Sequence, residues 1–305
     1  MNGTQRLNDL GQSLWLDNIT RALLTSGTLA RYISDFAVTG LTSNPTIFEH
    51  AIGNSYFYDD AMRRKASEGK SGEGLFFELA LEDLTRAADL FRPVFDATGG
   101  VDGWVSLEVS PLLAKDTAKT IEAAARLHAR AGRPNLFIKI PGTPEGIAAI
   151  EASIFEGVPI NVTLLFSPAQ YVAAAQAYLR GIERRIAAGR DPKVGSVASL
   201  FVSRWDAAAH DTLYIEALAA PATIDTIPEK TLLAFADHGQ GRQAMRADGG
   251  DADAVLADCR REGIDDDALA ARLQWEGAES FVESWHQLLN SIAAKTDSLT
   301  QTSAS

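Results

Sequence analysis

Three ionisable residues sit inside stretches that are otherwise apolar: Asp17 in LWLDNIT, Glu108 in WVSLEVSP and Lys139 in LFIKIPGT. Burying an ion without a partner costs roughly several kcal/mol, so such residues persist only when they are paired or used. Desolvation of a lysine ammonium, as expected for the FIKIP setting, favours the neutral amine that attacks a carbonyl. The chemistry this points to is Schiff-base formation. The same pattern also fits a lysine that runs outward between helices with its head at the surface, so the facing of the strand decides between the two.

Uncharged polar residues occupy matching places: Asn44 after GLTS, Asn161 and Thr163 in PINVTLLF, and Ser199 in VASLFVSRWD. Residues i and i+2 of a strand share a face, which pairs Asn161 with Thr163 and Ser199 with Phe201. One barrel lumen would collect them all with the three ions at the C-terminal ends of the strands, where barrel enzymes carry their active sites. The blander alternatives are a satisfied polar layer for Asn161 and Thr163 and small-residue packing for Ser199. Phe201 reads as core or pocket wall.

The elements that must hold these residues alternate. Short apolar runs over 13–19, 36–42, 104–109, 135–140, 158–165, 194–202 and 223–227 are separated by stretches of helical spacing. Runs apolar on both faces are what parallel strands covered by helices require, which favours a (β/α) barrel of the TIM type or a doubly wound sheet. No G-x-G-x-x-G follows a strand, and the barrel gains from that. Helices are expected over 116–131, with Ile121, Ala125 and His128 on one stripe and Gly132 as the stop, and over 168–188 before Gly189.

From about Glu229 onward the pattern is helical, over 229–237, 251–261 and 266–293, and these helices are expected to cover a single barrel domain spanning 1–305. The Gly/Asp-rich loop between Gln240 and Asp253 lacks EF-hand spacing, and a disordered tail is expected over 296–305. Only seven strands are recognisable, because 207–222 leaves room for one short helix between the last two.

With 46% hydrophobic and 22% charged residues over 305 positions, the chain has the balance of a globular enzyme. Forty acidic against 28 basic side chains give a formal charge of −12, which argues against nucleic acid, while one or two arginines could still hold a small phosphate. Cys259 is the only cysteine, so no internal disulfide or thiolate metal cluster is expected. No apolar run is long enough to span a bilayer, which reads as a cytoplasmic protein without membrane partners. The histidines (His50, His128, His210, His238, His286) lack metal spacing and read as structural or surface residues.

At this point the residues resemble the transaldolase family. GLTSNPTIF (40–48) and NLFIKIPGTPEG (135–146) resemble its two signatures, and LWLDNITR, SLEVSP, INVTLLFS, SVASLFVSR and DTLYIEALAAPATIDTIPEKTLLAFADHG support the likeness to the longer bacterial type. The resemblance implies transfer of a dihydroxyacetone unit from a ketose phosphate, sedoheptulose 7-phosphate or fructose 6-phosphate, to an aldose phosphate in the pentose phosphate pathway. It implies that Lys139 condenses with the C2 carbonyl, that Asp17 takes the C4 hydroxyl proton, and that Glu108 and Thr163 hold the water for proton transfers. Asn44 and Asn161 would bond the sugar hydroxyls and the enamine, and Ser199 and Arg204 would line the site, Arg204 reaching the phosphate. A protonated imine is itself an electron sink, so no cofactor and no metal is expected.

The chain departs from that family in one place. RWDAAAH runs straight into DTLYIEAL, where the longer transaldolases have a helix and a further barrel strand, so a segment is missing between Asp206 and Asp211. A barrel short of a strand has two unpaired edges. Shifted strands, the terminal helices or a partner chain, for instance in a homodimer, could close it. Two other readings stay open: an aldolase that releases free dihydroxyacetone, and a catalytically impaired barrel kept as a sugar-phosphate binding protein.

Overall fold

In the computed structural model, which describes residues 2–204, 211–241 and 243–301, the apolar runs become seven strands. They are β1 (Gln12–Asp17), β2 (Val38–Thr42), β3 (Val105–Glu108), β4 (Leu136–Pro141), β5 (Ile160–Leu165), β6 (Ser196–Leu200) and β7 (Thr223–Ile227). All pair in parallel, in the order β6-β5-β4-β3-β2-β1-β7. Trp15, Trp104 and Phe137 form one apolar cluster, and Val197 of β6 and Ile224 of β7 both pack against it. Those two strands lie at opposite ends of the strand order, so the sheet is curled into an incomplete TIM-type barrel.

The alternation of side chains splits each strand between lumen and helix layer. On the lumen side the apolar plug, with Trp104 stacked on Phe137 at 3.9 Å between ring centroids, fills the N-terminal end. Two residues further along come Asp17 after Trp15 and Lys139 after Phe137. Gly40, paired with Trp15, leaves room for the indole, since a Cβ there would lie 2.6 Å from Trp15 Nε1. On the outer side Leu14, Leu16, Leu41, Val105, Leu107, Ile138 and Ile140 join the main core beneath the helices.

The turns after the strands follow one recipe. Asn44, Thr143 and Ser167 each cap a helix whose first residue is proline, over Pro45–Gly53, Pro144–Glu156 and Pro168–Ala187. A polar cap accepts a free N–H, and proline at the first position has none to satisfy. Helix Thr117–Ala131 ends at Gly132, as the sequence suggests, in the left-handed conformation. Its buried stripe is Thr120, Ala123, Ala124, Leu127 and Ala131, whereas Ala125 is exposed; the expected stripe over Ile121, Ala125 and His128 is rotated by about one position.

Among the described residues the segment before β7 holds one short helix, Leu213–Ala217. Helix Asp266–Gln301 continues past Thr296, where fraying was expected, because Leu299 is buried near its end; residues 302–305 lie outside the described ones. No helix among the described residues is long and apolar enough to cross a membrane.

β6 and β7 do not pair with each other, and the seam between them is the weak side of the barrel. The strands β3, β4 and β5 are buried throughout, whereas β6 is half-buried with Leu200 51% exposed, and Thr223 and Thr226 of β7 are exposed.

Asp225, paired with Leu14 and facing the helix layer, has a buried Oδ2 without a hydrogen-bond partner. Burial pushes its carboxyl from 3.8 up to about 6. The folded value lies above the unfolded one, so the stability from proton binding is complete below the unfolded value and lost as pH rises through about 6. Asp225→Asn is therefore expected to stabilise the protein by up to about 3 kcal/mol near pH 8 and by about half as much near pH 5. Urea unfolding at the two pH values checks this, and an equal gain at both rules out the titration as its cause.

Candidate active site

Lys139 faces the lumen. Its side chain is 7% exposed, as is that of Glu108, its register partner on β3, and Nζ lies 3.5 Å from Glu108 Oε2. That separation is an ion-pair contact, longer than a good hydrogen bond. The ammonium donates instead to the Ser43 carbonyl at 3.1 Å. The outward-pointing alternative for this lysine is thereby excluded.

Burial raises the Glu108 carboxyl above the usual carboxylate range, against the opposing pull of Lys139, and the nearby charge of Asp17 adds to the rise. Glu108 can therefore exchange a proton closer to neutrality than an exposed glutamate. Asp17, half-buried at the end of β1, accepts a hydrogen bond from Thr42 Oγ1 at 2.8 Å, which fixes its carboxylate at the mouth of the lumen.

β5 supplies the other wall. Asn161 lies opposite Lys139 in the register and is held at both ends: Nδ2 donates to Ser106 Oγ at 3.1 Å, and Oδ1 accepts from Ser199 Oγ at 2.8 Å. Ser106, two residues before Glu108, belongs to the lumen by the alternation that found Glu108, yet its neutral side chain drew no notice in the sequence. Thr163 is fully buried, and its Oγ1 has no partner among the described residues. Glu108 Oε2 is likewise without a hydrogen bond. Buried oxygens left so cost about 1 to 3 kcal/mol each, and a substrate hydroxyl or a water would satisfy them.

Asn44 is committed more than the sequence suggests. Its Oδ1 accepts from Ile47 N at 3.0 Å as a helix cap, and its amide nitrogen has no hydrogen-bond partner among the described residues. Ser43, just before it, was also missed; its hydroxyl donates to the Ser106 carbonyl at 2.8 Å while its own carbonyl receives Lys139. Carbonyl acceptors leave no signature in a sequence.

Arg204 is half-buried after β6, 5.9 Å from the Phe201 ring centroid, and among the described residues it has no ion-pair partner. Asp206, two positions further on, lies outside the described residues, as does His210. Phe201 stacks on Phe166 at 5.5 Å and packs against the apolar cluster of Leu164, Phe166 and Ala270. Among the described residues no cluster of His, Cys, Asp or Glu is arranged to hold a metal ion.

The family model for transaldolase/fructose-6-phosphate aldolase matches residues 14–211 and 206–292. The chain belongs to this family. Among the relatives it resembles, the transaldolase of Thiobacillus denitrificans (strain ATCC 25259 / T1) is 38% identical over 358 positions, covering 96% of this chain and 100% of that protein. The transaldolase of Acidothermus cellulolyticus (strain ATCC 43068 / DSM 8971 / 11B) is 39% identical over 96% of both chains. That of Saccharopolyspora erythraea is 36% identical over 96% of this chain and 97% of its own length.

Membership in the family also makes sense of the seam. The first comparison runs over 358 positions, more than the 305 residues of this chain, so the relative contains stretches without a counterpart here. The two segments of the family match meet at 206–211, where the sequence reading places a missing helix and strand. The same place lies between β6 and β7, the two strands left unpaired with each other.

Proposed function

We propose that the protein transfers a dihydroxyacetone unit from sedoheptulose 7-phosphate or fructose 6-phosphate to an aldose phosphate through an imine on Lys139. The observation that carries this reading is the buried lumen amine 3.5 Å from a buried carboxylate whose proton affinity is raised. Glu108 takes the ammonium proton, and the free amine adds to the C2 carbonyl of the ketose. Loss of water, with the proton supplied by the Glu108 and Thr163 pair, gives the iminium. Asp17 removes the C4 hydroxyl proton, the C3–C4 bond breaks, and its electron pair moves into the iminium to form an enamine. The aldose phosphate leaves, an acceptor aldehyde is attacked by the enamine, and hydrolysis frees Lys139.

In this reading Asn161, held by Ser106 and Ser199, bonds the enamine side of the fragment, and the Asn44 amide bonds a sugar hydroxyl. Arg204 takes the phosphate. We place the reaction in the cytoplasm and in the pentose phosphate pathway, supported by the solitary cysteine and by the family.

The test is borohydride reduction of the protein with fructose 6-phosphate, followed by peptide mass analysis. A three-carbon adduct on Lys139 together with transferred product supports the reading. Ligand binding without adduct or turnover would mean an impaired, sugar-phosphate-binding barrel. The exposed seam beside Ser199 is a physical reason to assay free dihydroxyacetone as well, since water reaching the enamine side would favour release over transfer.

A further inference from the structure

We infer that Gln274, on the C-terminal helix, is a positioning residue for Lys139 and Thr163. This rests on the imine reading above. Its single side-chain amide donates to two carbonyls at once, Gly142 O at 3.0 Å and Leu164 O at 2.9 Å. Gly142 follows the last residue of β4, three positions after Lys139, and Leu164 follows Thr163 directly. The Gly142 N–H donates to Thr163 O at 2.7 Å, so the amide of Gln274 closes a ring that joins the ends of both strands.

The ring holds a backbone that the chain would not otherwise adopt. Leu164 has φ +59°, in the left-handed region that a leucine rarely visits, and the β5–β6 register shifts between Val162 and Leu165. Bulges of this kind re-aim the neighbouring side chain, here Thr163, whose buried hydroxyl has no hydrogen-bond partner among the described residues. The same helix packs against the bulge. Gly277 has no Cβ, and one added there would lie 2.9 Å from Leu164 Cδ2 and 3.9 Å from Arg204 Cζ. Ala270, Leu273, Ala278 and Phe281 complete an apolar cluster with Leu164, Phe166 and Phe201. At its other end the helix is tied to the Asn44-capped helix, with Thr46 to Ser284 at 3.0 Å and Lys295 to the Ile52 carbonyl at 2.8 Å. It thus spans the strand ends that carry the lumen groups.

The experiment compares the full chain with Gln274→Leu, which keeps the bulk and removes both donated hydrogen bonds. The expected result is a kcat lower by about tenfold or more, a donor KM within about twofold, and a slower rate of borohydride trapping on Lys139. A wild-type kcat and trapping rate in this variant, with only a lower melting temperature, overturns the inference and leaves Gln274 as packing. Should that variant not fold, Gly277→Ala gives the answer. It favours the helix yet pushes on Leu164, so a lower kcat at an undiminished melting temperature is expected, and an unchanged kcat overturns the proposal. Failure of the wild-type chain itself to form the adduct would instead sink the imine reading, which keeps the two outcomes distinct.

Discussion

Lys139→Met is expected to abolish the borohydride adduct and lower transfer by at least about 10⁴-fold, because it removes the amine on which the proposed imine forms. The variant should still fold, since methionine fills a volume close to that of lysine. Its stability, however, carries a signature. Removing the ammonium 3.5 Å from Glu108 Oε2 takes away the main influence that lowers the Glu108 pKa and leaves burial unopposed. The folded value then rises further above the unfolded one, so the variant is most stable at low pH and loses stability as pH climbs through that raised value. Breaking a buried pair costs about 3 to 5 kcal/mol when the remaining charge cannot neutralise, and protonation of Glu108 reduces this. Adding Glu108→Gln should restore the stability at alkaline pH without restoring any turnover. Unfolding curves across pH for the single and double variants, beside the transfer assay, separate lost chemistry from lost fold. An adduct that survives Lys139→Met would place the nucleophile elsewhere.

Asp17→Asn has the second largest expected effect and a more specific one. The amide oxygen of asparagine can still accept from Thr42 Oγ1, now at 2.8 Å from the Asp17 carboxylate, so the geometry at the mouth of the lumen is kept. What disappears is the proposed base for the C4 hydroxyl proton. Transfer is expected to fall by about 10²- to 10⁴-fold, the usual worth of a general base. The imine itself should still form. Borohydride would then trap the whole ketose phosphate on Lys139 in place of the three-carbon fragment, a difference that mass analysis of the modified peptide reads directly. A three-carbon adduct accumulating at the wild-type rate would show that another group does the work. Because the charge of Asp17 also raises the Glu108 carboxyl, the same variant should move the acid limb of imine formation to lower pH.

The seam between β6 and β7 bears on how these variants behave. Ser199, which steadies Asn161, sits on the half-buried edge strand, whereas Lys139, Glu108 and Thr163 sit on strands buried throughout. In the proposed mechanism the covalent chemistry therefore falls on the buried strands, and the proposed contacts to the sugar and phosphate lie nearer the open side. The absence of a helix and strand between Asp206 and Asp211 should weaken phosphate binding before it weakens imine formation.

Much of this was written in the residues themselves. A charge or hydroxyl inside an apolar run is visible because strand alternation is a property of a few consecutive residues, and burial of an unpaired ion is too unfavourable to be accidental. That logic found Asp17, Glu108, Lys139, Asn161 and Thr163, and the same runs set the strands and their order of use. It failed where the partner is a backbone carbonyl or is distant in the chain. The Ser43 carbonyl that receives Lys139 is contributed by a residue 96 positions away, and Gln274 reaches Gly142 and Leu164 across 132 and 110 positions. No local pattern encodes such pairs, because they exist only once helices and strands have packed. Tertiary structure also decided that the lysine points inward, that Leu164 takes a left-handed backbone, and that two edges of the sheet stay apart.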